Sequence, residues 1–477
     1  MGTVYAKEQF IEKNESFGSG KPRHLNLGTN DQEAEECTSG KKTIKLEGIQ
    51  ARVDKIHVDG LNRTKDDIVV ETVSDLFKAQ DFQQVLLGAH KVREKLDALG
   101  CFRNIGIYID ISSGPGATPH GLEVTFHVRE LKRLMGGVNT MVGNNEGSLV
   151  VGLRAPNLLG RGEKVNFEYR YGSKRTTGID IAFSKPLRGK WSPVFTTSVF
   201  QRGAEWPPSA YKQMDRGILL DLAFSSSSSV QHNLQWEGNY RDLSCLTRAA
   251  AFAVREQAGP TLKSSIRHII TADRRDAPIF PSKGGLFQLT TEFAGLGGNI
   301  GFLKNELMLQ ANVPLLEGIV IQGGVQGGLL THLAGDKQVS ICDRFFLGGP
   351  LNLRGFELRG AGPHSDGNAL GADVYWAAAV HLYTPLPFRP GKGSLGDLFR
   401  THVFFNCGNI GNFRFTEDYQ RNFEQLANNL RSAYGLGVAL RIGQVARLEL
   451  NYCIPVRIAA GDRPCSGVQF GVGVNFL

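Results

Sequence analysis

Few of the side chains that make and break bonds stand at working distances in this sequence. Gly391 to Gly396, GKGSLG, fits G-x-G-x-x-G, but it follows Pro390 and precedes the strand-like RTHVFF. The strand–turn–helix that would cradle a phosphate is therefore missing. GSGKP near the start lacks the upstream Gly and the closing Ser or Thr of a phosphate loop. There is no H-E-x-x-H and no G-x-S-x-G, and the eleven histidines form no metal-ligand spacing. The seven cysteines (Cys37, Cys101, Cys245, Cys342, Cys407, Cys453 and Cys465) include no C-x-x-C pair, which argues against a zinc cage and a disulfide framework. The expectation is a protein that is not an enzyme, with no cofactor and no metal. What remains is the chemistry of the main chain. In SGVQFGVGVNFL, the last stretch, Val468, Phe470, Val472, Val474 and Phe476 share one face, and Gly467, Gln469, Gly471, Gly473 and Asn475 share the other. An apolar strand at this position has to be tied into a sheet.

The elements that could hold it follow from composition and period. The 477 residues include 58 glycines, about 12% against a usual level of roughly 7%. The longest uncharged stretch, Gly318 to Gly335, contains six glycines as well as Gln322, Gln326, Thr331 and His332, so no helix of membrane-spanning character is expected. A membrane β-barrel fits, because its inner face dilutes the hydropathy. Residues 1–131 carry 17 Lys and Arg against 20 Asp and Glu, and residues 132–477 carry 37 against 26. This excess of base reads as cationic loops. No basic run with interleaved aromatics points to nucleic acid. The opening residues lack a secretory apolar core, and Glu8, Glu12 and Glu15 are unlike a mitochondrial presequence, so insertion from the cytosol is expected.

Residues 1–47 are polar and aperiodic and are read as largely disordered. Residues 48–131 give the order strand, helix, helix, strand, strand. Thr64 is the expected N-cap of the first helix, ahead of Asp66 and Asp67. Val85, Leu86, Ala89, Val92, Leu96 and Leu99 take helical spacing in the second helix, which stops at Gly100. From 135 to 477 the period is two. EKVNFEYRY sets Val165, Phe167, Tyr169 and Tyr171 against Lys164, Asn166, Glu168 and Arg170. RLELNYCIPV sets Leu448, Leu450, Tyr452, Ile454 and Val456 on one side. At about ten residues per tilted spanning strand, roughly 14 to 18 strands fit. So wide a barrel makes sense with polar residues inside and apolar ones toward lipid, because inward apolar faces would line a void. Two soluble sandwiches are the alternative. YQRNFEQLANNLRSAY is the single helix expected between strands.

Five stretches carry a family resemblance. IHVDGLNRT resembles the opening strand and turn of a POTRA domain. NLLGRGE (Asn157 to Glu163), DRRDAPIFPSKG (Asp273 to Gly284), FFLGGPLNLRGF (Phe345 to Phe356) and the terminal strand resemble marks of the outer-membrane insertase superfamily. The chain is most similar to the family's mitochondrial branch, the core barrels of the sorting and assembly machinery. The resemblance implies a mainly β protein, one small α+β POTRA domain (48–131) followed by a sixteen-stranded antiparallel transmembrane β-barrel (135–477).

It also implies a site. The loop motif Gly348, Gly349, Leu353, Arg354, Gly355 and Phe356 would fold back into the lumen, with the glycines allowing tight turns. Arg354 is always charged and carries five donors, so the wall must supply acceptors. That wall is placed at His381 and at Phe404, Asn406 and Gly408. Relatives often present an Asp where this chain has Asn406, and a nearby carboxylate is replaced by His381, so neutral acceptors are expected. Gln469, Gly471, Val474 and Phe476 match the terminal-strand signal of mitochondrial outer-membrane barrels. A lateral seam is expected between Met135, Gly136, Gly137 and Val138 on the first strand and Gln469, Gly471, Val472, Val474 and Phe476 on the last, with the glycines giving little packing across it. The function implied is insertion of β-barrel precursors into the mitochondrial outer membrane by pairing the client's terminal strand at that seam. The partners implied are those precursors, the lipid bilayer and metaxin-like accessory subunits on the cytosolic face, with the POTRA domain in the intermembrane space. A passive or polypeptide-translocating pore is the alternative.

Overall fold

Helical spacing before residue 133 and strict alternation after it divide the chain into two kinds of structure. The computed structural model describes residues 3–6, 49–143, 146–187, 189, 191–333, 335, 337–386, 395–413, 418–443, 446–474 and 476–477. They form two units, Met1–Arg133 with Pro156–Gly162, and Leu134–Ala155 with Glu163–Leu477.

The first unit holds β1 (Thr3–Ala6), β2 (Arg52–Asp59), α1 (Asp66–Val73), α2 (Phe82–Ala98), β3 (Phe102–Ile111) and β4 (Gly121–Glu130). Its sheet runs β1-β2-β4-β3, with β1, β2 and β4 parallel and β3 antiparallel to β4. Val85, Ala89, Val92 and Leu96 form the buried stripe of α2, and Gly100 takes the left-handed conformation (φ 59°) that ends it. The expected disorder of residues 1–47 does not hold for Thr3–Ala6, which pair with Lys55–Val58. The rest of that segment, and Gly391–Ser394 of GKGSLG, lie outside the described residues.

Thr64 does not cap α1. Lys65 stands at the N-cap without a side-chain bond. The Thr64 hydroxyl is committed elsewhere: it donates to Glu130 Oε1 (2.7 Å) and accepts from Asn157 Nδ2 (2.8 Å). Glu130 Oε1 also accepts from the N–H groups of Asn62, Arg63 and Thr64, and Arg63 Nε reaches Glu130 Oε2 at 3.2 Å. Asn157 is left-handed (φ 56°) and accepts from Gly162 N–H through Oδ1, while Gly160 O accepts from Lys65 N–H. NLLGRGE is thus a fastening on the entrance to α1, made by the Asn157 amide on Thr64 and the Gly160 carbonyl on Lys65 N–H, beside the donors that Glu130 gathers.

The second unit opens with β5 (Met135–Gly143), β6 (Glu146–Pro156), β7 (Lys164–Gly172), β8 (Thr177–Pro186), β9 (Val194–Trp206) and β10 (Tyr211–Ser227). Next come β11 (Val230–Cys245), α3 (Phe252–Glu256), β12 (Gly259–Asp273), β13 (Gly284–Gly298), β14 (Phe302–Leu316) and β15 (Ile319–His332). A long connection then carries the two short strands β16 (His364–Ser365) and β17 (Asn368–Ala369). The unit closes with β18 (Val374–Pro385), β19 (Phe399–Gly411), α4 (Tyr419–Ala427), β20 (Arg431–Ile442), β21 (Ala446–Arg457) and β22 (Gly467–Gly473). All but β16 and β17 join one sixteen-stranded sheet in chain order from β5 to β22. No ladder joins β5 to β22 among the described residues. The helix expected from Tyr419 to Tyr434 ends at Ala427, because Arg431–Tyr434 are taken into β20.

Alternation resolves as expected. Phe167, Tyr169 and Tyr171 are exposed on the outer face, while Asp180, Asn239, Arg241, Lys263 and Glu292 are buried on the inner one. Inner charges pair across strands, as in Lys263 Nζ to Glu292 Oε1 at 2.9 Å. No described helix is long and apolar enough to cross a membrane.

Two outcomes follow for the first unit. Glu130→Gln should destabilise it by about 1–3 kcal/mol, because the main-chain donors of Asn62, Arg63 and Thr64 lose a charged acceptor. Faster amide exchange at Asn62–Thr64 is the readout. Burial opposes the charge of Glu130, but the Thr64 hydroxyl and the N–H groups of Thr64, Asn62 and Arg63 outweigh it and hold the carboxyl below its ordinary value. The depressed value sets the sign. Its stabilisation is complete above the unfolded Glu pKa, about 4.3, and is lost as pH falls through the lower folded value. Glu130→Gln should remove that acid limb from a melting-temperature profile.

Candidate functional site at the lumen loop and the sheet margins

The connection from β15 to β18 turns onto the inner face of the sheet. Phe345 pairs with Ala372, Leu347 with Ala361 and Gly349 with Leu353, which makes a narrowing hairpin with Pro350–Asn352 at its tip. Gly348, Gly349 and Gly355 all take positive φ (111°, 118° and 84°). Gly355 has a second reason to lack a side chain: a Cβ there would stand 2.7 Å from Ala433 Cβ.

The turn aims Arg354 into the wall, where it is fully buried. Its Nη2 donates to Glu449 Oε2 at 2.7 Å, Nε reaches the same oxygen at 3.3 Å, and Nη1 donates to Leu477 O at 2.7 Å. The guanidinium also lies 5.2 Å from the centre of the Phe404 ring. The expectation of neutral acceptors is therefore corrected: a carboxylate is present, moved from the strand of Asn406 to β21. Asn406 takes a different part, donating through Nδ2 to Arg354 O at 3.2 Å. Glu449 was legible as an inward residue, since Leu448 and Leu450 point outward on either side of it, but nothing in the sequence paired it with Arg354.

His381 does not touch the guanidinium. Its Nε2 lies 2.9 Å from Leu477 O and its Nδ1 is 3.1 Å from Nδ1 of His402. His402 Nε2 is 2.8 Å from Asn451 Oδ1, and Asn451 Nδ2 donates to Glu449 Oε2 at 3.0 Å. Arg354, Leu477, His381, His402, Asn451 and Glu449 thus form a closed circuit of polar contacts. Gly408 lies outside it, closing instead against β18, where a Cβ would stand 2.7 Å from Trp376 O.

The last strand is held by the same loop. Gln469 accepts from Gly355 N–H (3.0 Å) and donates to Phe356 O (2.8 Å), a two-way amide clamp. Cys465 N–H donates to Gly355 O at 2.8 Å. A Cβ on Gly471 would stand 2.9 Å from Pro350 Cβ, and one on Gly473 2.9 Å from Leu351 Cδ2. Gly471 and Gly473 therefore admit the loop tip; they are not a bare seam. Val468, Phe470 and Val474 face outward as expected, but Phe476 does not. β22 ends at Gly473, and beyond it Phe476 and Leu477 are buried, with Arg447 4.2 Å above the Phe476 ring and Leu477 N–H bonded to Leu351 O. The physical reason is the pair of buried cations, Arg354 and Arg447, which a ring and a main-chain oxygen help to satisfy.

β5 differs from β22. It pairs with β6 from Met135↔Arg154 to Gly143↔Glu146, yet Gly136, Gly137, Val138, Asn139 and Thr140 are all exposed, Val138 to 65%. A Cβ on Gly137 would meet nothing closer than 3.9 Å. One margin of the sheet is pinned from within; the other is exposed on both faces from Gly136 to Met141.

Residues 157–476 match the Omp85 superfamily domain. The chain is 45% identical to the Sorting and assembly machinery component 50 homolog B of Xenopus laevis and, likewise at 45%, to the corresponding homologs of Mus musculus and Homo sapiens, with 100% of both chains covered each time. Among solved structures it is similar in fold to BamA from Haemophilus ducreyi lacking POTRA domains 1-3, with a TM-score of 0.70 at 16% identity over 89% of this chain and 84% of that one. The chain belongs to the Omp85 superfamily, with the Sorting and assembly machinery component 50 homologs.

Proposed function

We propose that this chain folds and inserts β-barrel precursors into the mitochondrial outer membrane, and that it does so by strand pairing at the margin of its own sheet. The observation that carries the reading is the unequal state of the two margins. β22 is fixed by Gln469, Pro350 and Leu351, whereas β5 offers an exposed edge with glycines on it. An unpaired edge in lipid is costly, because its N–H and C=O groups find no water. A precursor's strand laid along β5 would satisfy them on both partners, with main-chain bonds giving affinity and alternate side chains giving selection. The process needs no bond-making and no cofactor. The full-length likeness to sorting and assembly components supports work within a complex. We further propose metaxin-like accessory subunits on the cytosolic face, with the small α+β unit in the intermembrane space.

Cysteine placed at Val138 should crosslink an arrested precursor's terminal strand more strongly than cysteine at Val472. Crosslinks confined to inner-face positions such as Gln326 would favour a translocating pore instead. Arg354→Ala should slow precursor insertion, and insertion at the normal rate by a stably assembled variant would defeat the assignment. Glu449 faces both Arg354 and, through Oε1, Arg447 Nε at 3.0 Å, so Glu449→Gln should weaken loop docking by about 3–5 kcal/mol. Protease cleavage between Leu347 and Phe356 reports that loss.

A further inference from the structure

The lumen loop has a second set of fastenings, on strands remote from β22 in the sheet. Asp343, at the base of the hairpin, is buried and accepts from Arg241 Nη1 of β11 at 2.9 Å, with Lys263 Nζ of β12 at 3.7 Å. Its carbonyl accepts from Lys304 Nζ of β14 at 3.0 Å. Ile341 N–H donates to Gln257 Oε1 at 2.6 Å. On the returning arm, Arg359 is left-handed (φ 60°) and its guanidinium lies between the Trp206 ring at 3.9 Å and the Phe346 ring at 3.8 Å. Its Nη1 donates to Ser209 Oγ at 3.0 Å and to Tyr211 Oη at 3.1 Å.

We propose that Asp343 and Arg359 are positioning residues that make the loop a strut across the inner face, so that the hold on β22 originates in β9–β12. Three features support this. The two fastenings share one hydrogen-bonded frame: Arg359 N–H donates to Gly348 O and Ala361 N–H to Leu347 O, directly behind the turn that aims Arg354. Each fastening is chemically complete by itself. Asp343 is a counter-charge that Arg241 and Lys263 need once buried, and the Arg359 sandwich is a desolvated cation–π contact. The loop's apolar residues also reach both walls. Leu347, Leu353 and Phe356, with Val339 and Phe345 of the base, pack with Ala377, Ala379 and Ile410, whereas Ile341 packs with Tyr211, Leu243 and Val254. A strut with two built ends transmits displacement from one wall to the other, because packed interiors do not deform continuously.

The test is amide exchange on the purified full-length protein in lipid nanodiscs, which needs no precursor. Trp206→Leu removes the wall half of the Arg359 contact and leaves every buried ion pair in place; Asp343→Asn removes the other fastening. Both should speed exchange at Leu353–Phe356 and at Gly467–Gly473 by roughly tenfold, with the β18–β20 ladder unchanged. If Asp343→Asn disrupts that ladder, Trp206→Leu alone decides. Faster exchange limited to residues 341–346 and 357–361, with β22 as protected as before, overturns the proposal. So does unchanged exchange throughout.

Discussion

A guanidinium removed wholly from water has to be met by fixed acceptors, and much of this molecule's inner face is organised by that demand at Arg354. Glu449 supplies the charge, Leu477 a carbonyl, Phe404 a ring face, and Asn406 steadies the loop's own main chain. None of these groups could do so alone. Desolvating one ion pair is roughly neutral at best, so the arrangement is better understood as specification of place than as a source of stability. The place specified is the inner side of β22.

That placement explains why the two ends of one sheet differ. β22 is short, seven residues, and glycine occupies the positions where Pro350 and Leu351 press against it. Its hold is therefore three-sided: a ladder to β21, an amide clamp from Gln469, and the loop tip. β5 has a ladder on one side and, among its described residues, no comparable clamp on its inner face. Glycine thus serves opposite ends at the two margins, close approach in β22 and bareness in β5.

The alternating faces of EKVNFEYRY, RLELNYCIPV and the terminal strand were readable from residue order, and the width of the barrel, not the period, turned the apolar faces outward. The small α+β unit was readable from the spacing of Val85, Ala89, Val92 and Leu96. The loop motif was found through its family resemblance, with which glycines suited to tight turns are consistent. What stayed hidden were the partners that lie far apart in the chain. Glu449 is 95 residues from Arg354, Arg241 is 102 from Asp343, and Thr64 is 93 from Asn157. Local pattern carries no information about such pairs. Thr64 illustrates the limit: its position before Asp66 and Asp67 favours a cap, yet a buried carboxylate competes for the hydroxyl and wins. Phe476 illustrates it again, since alternation predicts an outward ring only for as long as the strand continues.

The circuit around Arg354 has a temporal corollary. It draws on β18, β19, β21 and Leu477, and the clamp beside it draws on β22. A half-built sheet lacks the last of these, so the arginine of an unfinished chain stays hydrated. Docking of the loop therefore waits on β22 and Leu477, a seal that can be set only once the last strand is in place.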